Sequence, residues 1–165
     1  MERTPLSVGS WRRRASLWLP VVLWLAVIAV MSSDVASQTD TESSFLAFLR
    51  SWWPGAAAAL EGAVWREATG LVVRKAAHLF LYGVLALLSL RAVRGGTRLR
   101  GRAASVAVVL FCALVASGDE LNQATLASRS GSVVDVGIDL LGALLALGAA
   151  GLVRRRGSAE RRLGE

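Results

Sequence analysis

The residues able to do chemistry in this chain are few and recur at helical spacing. His78 and Tyr82 lie four apart, as do Asp135 and Asp139, and residues four apart share one face of a helix. Arg74 and Lys75 precede the first pair, Asp119, Glu120 and Gln123 form a third polar group, and Arg129 stands between that group and the aspartates. Two chemistries fit these side-chain types. Arg74, Lys75 and Arg129 match the charge of a phosphate, and a guanidinium also matches its shape. Tyr82, Gln123 and Asp139 would then orient the rest of a ligand, and phosphate beside carboxylates requires a cation or a proton between them. Alternatively, His78 would serve as acid–base group or metal ligand, with Asp119, Glu120 and Asp135 as bases or ligands. Oxygen-rich sets suit Mg²⁺, Ca²⁺ or Mn²⁺ and a histidine admits Zn²⁺. No H-E-x-x-H spacing is present, so a divalent cation is allowed for but not identified.

Each residue also has a bland reading. A lone histidine near a membrane interface is more often simply hydrogen-bonded than catalytic. Asp119 and Glu120 alone read as a solvated helix end, and Gln123 as a helix-capping residue. Asp139 resists such treatment, because it lies about one and a half turns inside an apolar segment. An ionised carboxylate costs about 2.5–3.5 kcal/mol at a membrane helix centre, and less toward the interface. Two aspartates one turn apart also repel, so donors such as Tyr82, His78 or Arg129 are needed nearby.

The elements that must position these groups are membrane spans. Hydrophobic residues make up 54% of the 165 residues and charged residues 19%, with mean hydropathy +0.50. Apolar residues gather into blocks, as lipid-facing segments do, and a soluble domain exposing them would aggregate. Four spans are expected, at about 15–31, 76–90, 103–117 and 133–153, giving an all-α integral membrane bundle. Pro20 in the first is tolerated in lipid. No small-x-small cleavage site follows this block, so it reads as a retained helix rather than a signal peptide. The second and third spans are short on this reading and would need snorkelling side chains or local bilayer thinning. In the fourth, Gly137, Gly142 and Gly148 would permit close helix approach. Between spans one and two, the polar stretch Ser32 to Ser44 must leave the bilayer. Phe45 to Val73, with Trp52 and Trp53, suits one or two short interfacial helices. The single cysteine, Cys112, lies inside the third block and reads as a small buried hydrophobe.

Charge sets the orientation. The net charge is +7. Fourteen of the 19 basic residues fall before span one, between spans two and three (Arg91 to Arg102), or after span four (from Arg154). Of the acids only Glu2, Glu160 and Glu165 share that side. The positive-inside rule then makes 1–14 and 154–165 cytoplasmic tails of a multi-pass cell-membrane protein. Three spans would break this agreement. Because the basic residues flank apolar blocks and show no aromatic interleaving, nucleic acid is excluded as a partner and membrane lipid expected. Three helices thereby offer polar groups at one depth in the outer leaflet. Tyr82 lies about 6 Å deeper than His78, and Asp139 about 6 Å deeper than Asp135.

These residues resemble a known pattern. Arg74-Lys75-Ala76-Ala77-His78 through Tyr82, then Asp119-Glu120-Leu121-Asn122-Gln123, Arg129-Ser130-Gly131-Ser132, Asp135, and Asp139 to Gly142 are similar to the motifs of VanZ-like membrane proteins. Ser32-Ser33 resembles that family's serine-rich loop. Leu81 stands where many relatives carry an acid, and Ala124 to Ser128 lacks the usual aromatic and Pro-Gly. The family takes its name from a protein linked to teicoplanin resistance. The resemblance therefore implies a cell-envelope role, with an envelope lipid or peptidoglycan precursor as ligand, and brings no settled reaction. Three functions follow in order: an accessory protein binding an anionic envelope lipid, a metal-assisted hydrolase of a lipid-linked phosphate, and an inert scaffold.

Overall fold

The computed structural model describes residues 8–33, 47–55, 63–125 and 132–163. Four long helices carry the chain: α1 (Val8–Ser32), α2 (Ala63–Gly96), α3 (Gly101–Gln123) and α4 (Val133–Leu163). Each holds an apolar stretch long enough to cross a bilayer: Trp11–Ser32, Gly70–Gly96, Gly101–Gln123 and Val133–Gly157. The four expected spans are present, each longer than its apolar block and the second and third most of all. The 27 residues of Gly70–Gly96 reach about 40 Å and the 23 of Gly101–Gln123 about 34 Å, against a hydrocarbon core of about 30 Å. No snorkelling or thinning is needed to complete them. Hydropathy alone ends a span where polarity begins, but a low-dielectric surround keeps the backbone hydrogen-bonded to itself, so the helix runs on through Arg74, Glu120 and Gln123.

The segment expected to lie at the interface divides in two. Residues 47–52 are helical, and the rings of Phe48 and Trp52 meet with centroids 6.1 Å apart. Ala63 to Val73, by contrast, belongs to the start of α2 rather than to a separate surface helix.

In α2, half of the most apolar window is buried, against 17–22% in the other helices, so the bundle is built around α2. Its inner face presents Tyr82, Leu85, Ala86, Ser89 and Val93. Against it α1 contributes Trp24, whose indole N–H donates to the Leu81 carbonyl at 2.8 Å. The Trp24 ring meets Phe80 edge-on at 6.2 Å. A short turn, 97–100, leads into α3, with Thr97 Oγ1 donating to the Val93 carbonyl and Gly101 supplying a positive φ of 55°. The outer faces remain apolar: Val22, Leu23, Leu110, Leu114, Leu144 and Leu152 are all exposed, as a lipid-facing belt requires. Cys112 is buried and free, in the core as expected.

Helices α2 and α4 both run from the acid-bearing end of the bundle toward the arginine-rich end, so they are parallel. Gly142 sets their separation. A Cβ placed there would lie 2.8 Å from the Leu79 Cα and 2.9 Å from its carbonyl carbon. Gly83 in turn faces the Gly142 carbonyl oxygen, 3.4 Å from where its own Cβ would be. A Cβ added at Gly137 or Gly148 would meet nothing within 4 Å among the described residues, so neither spaces a helix contact there. Only one of the three glycines expected to admit a neighbour does so here.

Candidate functional site

The parallel register of α2 and α4 brings the two i, i+4 pairs together rung by rung. Arg74 Nη2 donates to Asp135 Oδ2 at 2.8 Å, and Lys75 Nζ donates to Asp135 Oδ1. One turn further along both helices, His78 Nδ1 meets Asp139 Oδ1 at 2.8 Å. Partners advance by four on each helix, which is what two parallel helices in contact along one seam produce. The next residue on this face of α2 is Tyr82, buried, with no partner for its hydroxyl among the described residues.

The two aspartates are therefore not left to repel. Asp135 is only 1% exposed, but its cationic partners are 29% and 30% exposed and form the wetter rim. Asp139 is fully buried and its hydrogen-bond partner among the described residues is His78, itself 12% exposed. Buried carboxylates must be paired or hydrogen-bonded, and the division of partners meets that need for Asp135 better than for Asp139.

Helix α3 brings the third group. Its buried stripe runs Ala104, Val108, Cys112, Ala116 and then Glu120 and Gln123. The packing face thus turns polar in its last turns, because the helix continues past the apolar block without rotating away from the core. Glu120 is buried rather than solvated, and its Oε2 accepts from the Ser132 backbone N–H at 2.6 Å, just ahead of α4. Asp119 Oδ2 accepts from Ser32 Oγ at 2.7 Å and from Gln123 Nε2 at 3.1 Å. Gln123 is an internal donor to Asp119 rather than a helix cap.

His78, Glu120 and Asp139 each offer one ligand atom, and those atoms all lie within 4.8 Å of one another. Asp139 Oδ2, Glu120 Oε1 and Arg74 Nε are buried without a hydrogen-bond partner among the described residues. Among those residues no lysine or arginine bridges Asp119, Glu120 or Asp139, since Arg74 and Lys75 both engage Asp135. Of the residues singled out from sequence, Arg74, Lys75, His78, Tyr82, Asp119, Glu120, Gln123, Asp135 and Asp139 occupy one end of the bundle. Arg129 lies outside the described residues.

Two contributors stood outside the residues given a chemical role from sequence. Ser32, the last residue of α1, ties the first helix to Asp119, and the adjacent serine pair was the only hint. The Ser132 amide is a backbone donor, which no side-chain pattern announces.

Comparison with known proteins agrees with the residues. The VanZ/LLP1 family matches residues 17–154, most of the chain, and so the chain belongs to that family. No curated protein and no solved structure matches it.

Proposed function

We propose that this member of the VanZ/LLP1 family binds the anionic headgroup of an envelope lipid at the Arg74–Lys75–Asp135 rim, on the outer side of the cell membrane. The orientation rests on the arginine distribution, which favours cytoplasmic termini and puts the carboxylate-bearing end outside. One observation carries the ligand class. Two cations share the single carboxylate of Asp135, leaving one net positive charge, and Arg74 Nε is a buried donor with no acceptor among the described residues. A phosphate oxygen is the acceptor that a guanidinium fork fits best.

The test uses the full chain in neutral detergent, titrated with a short-chain polyprenyl monophosphate and followed by native mass spectrometry. Charge-assisted hydrogen bonds are worth about 1.5–3 kcal/mol, so Arg74→Gln should weaken binding by about tenfold or more. Lys75→Gln should have a smaller effect, because an ammonium makes no bidentate contact. Phosphatidylglycerol as a second titrant separates a preference for the polyprenyl carrier from general anion binding. Equal affinity of Arg74→Gln and wild type would remove this reading. Glycopeptide protection belongs to the same proposal. If the ligand is a peptidoglycan precursor, any teicoplanin tolerance conferred by the wild type on a sensitive host should be lost in Arg74→Gln.

A second reading, hydrolysis of a lipid-linked phosphate, is favoured by the His78–Asp139 contact. A carboxylate on one imidazole nitrogen fixes the tautomer and leaves the other nitrogen for proton transfer or metal binding. His78→Gln should then abolish phosphate release from a polyprenyl diphosphate incubated with the purified chain. Release at the wild-type rate, or no release by the wild type, rejects catalysis and leaves binding.

A further inference from the structure

We propose that His78, Glu120 and Asp139 form a site for one divalent cation of the Mn²⁺ or Zn²⁺ kind. The site goes beyond the headgroup reading and stands on residues other than Arg74 and Lys75.

Three observations converge on it. The first is geometric. Ligand atoms from three different residues, on three different helices, lie within 4.8 Å of one another. A metal at about 2.1 Å from each holds neighbouring ligands about 3 Å apart and opposite ones about 4.2 Å apart. The His78 Nδ1–Asp139 Oδ1 separation of 2.8 Å is already close to the first value, and an ion held by both atoms would replace the hydrogen bond between them. The remaining separations, all within 4.8 Å, close on one ion by side-chain rotation.

The second is the state of the carboxylates. Asp139 Oδ2 and Glu120 Oε1 are both buried with no hydrogen-bond partner among the described residues, in side chains that are themselves almost wholly inaccessible. Two buried carboxylate oxygens without donors in one low-dielectric cluster need a proton or a cation between them. A cation there accepts both lone pairs at once.

The third is charge balance. The nearest described cations, Arg74 and Lys75, are engaged one turn away on Asp135. With both ionised, Glu120 and Asp139 would carry two negative charges, which one divalent ion balances. The mixed donor set, one nitrogen and two carboxylate oxygens, selects a borderline cation over Mg²⁺ or Ca²⁺, which take oxygen ligands alone. Three protein ligands also leave coordination positions open, as in sites where a metal receives a water or a substrate oxygen. Arg74 and Lys75 lie one helical turn before His78 on the same helix.

The chain contains a single histidine, which makes the test direct. The full chain, purified by a non-histidine tag and stripped of metal, is titrated with Mn²⁺ and observed by electron paramagnetic resonance. One Mn²⁺ per chain should bind, Zn²⁺ should displace it, and protein carrying ¹⁵N-histidine should show a nitrogen coupling to the bound ion that His78 alone can supply. Glu120→Gln and Asp139→Asn should each weaken Mn²⁺ binding by about tenfold or more, since each removes a charged ligand. Polyprenyl monophosphate binding is titrated separately on the metal-stripped wild type, so failure of the lipid reading and failure of the metal site are told apart. Absence of saturable Mn²⁺ and Zn²⁺ binding, or bound Mn²⁺ lacking the histidine coupling, overturns the proposal. The coupling is read on wild-type protein, so it decides the matter even if a carboxylate variant fails to fold.

Discussion

Gly142→Ala should unfold the protein at a lower midpoint in mixed-micelle denaturation, while Gly148→Ala should not. The added methyl at 142 would sit 2.8 Å from the Leu79 Cα and 2.9 Å from its carbonyl carbon. Backbone atoms of a helix cannot rotate aside as a side chain can, so α2 and α4 must separate. Overpacking of a tight interior costs about 1–3 kcal/mol, and a contact against backbone belongs at the upper end. At Gly148 nothing lies within 4 Å. Alanine there should be neutral or mildly stabilising, by up to about 1 kcal/mol from helix propensity. The same separation at 142 should lengthen the His78–Asp139 contact, because Leu79 follows His78 and Gly142 lies one turn beyond Asp139. A changed ring ¹⁵N shift of the lone histidine would report it. Matching melts for the two alanine variants would mean the helices do not meet at Gly142, and the rung-by-rung pairing would lose its spacer.

That spacer explains much of what was and was not legible beforehand. Apolar blocks and the arginine bias define four spans because the cost of burying charge in lipid is large enough to dominate composition. The i, i+4 pairs on α2 and α4 were visible for the same reason that helix faces are, from a fixed residue period. Which pair meets which was not visible. Pairing across helices depends on their register and direction of approach, and these turn on Gly142, which closes the Asp139–Gly142 motif but which helix period alone does not set apart from Gly137 or Gly148. A glycine has no side chain to declare which face it serves. Span lengths were underestimated by the same kind of local reading. Glu120 reads as a solvated end when its polarity is taken alone, yet it continues the buried stripe of Ala104, Val108, Cys112 and Ala116 at helical spacing. Extending the period through the polar residues, rather than stopping at them, would have found it. Ser32 is different: its partner, Asp119, is 87 residues away, and only the tertiary arrangement joins them.

Neutralising Asp135 should be the most damaging conservative change at the rim. Asp135→Asn keeps the shape and one acceptor but leaves Arg74 and Lys75 side by side without a counter-charge. Removing one partner of a buried pair costs about 3–5 kcal/mol, and the partial exposure of both cations reduces that to about 2–3 kcal/mol here. Arg74→Gln alone should cost less, since Lys75 still holds the carboxylate. The triple change Arg74→Met, Lys75→Met, Asp135→Leu should recover most of the loss, because apolar replacements remove the buried charges altogether. The reading of the rim as an anion site adds a condition that ion-pairing alone does not. In neutral detergent Asp135→Asn should be destabilised, and a polyprenyl monophosphate should restore its midpoint further than it raises that of the wild type. The two liberated cations offer the phosphate a full pair of charges in place of one. If the variant is as stable as wild type without lipid, Asp135 is not the counter-charge. If it is destabilised but gains no more from the anionic lipid than wild type does, the rim is a structural ion pair and the headgroup binds elsewhere.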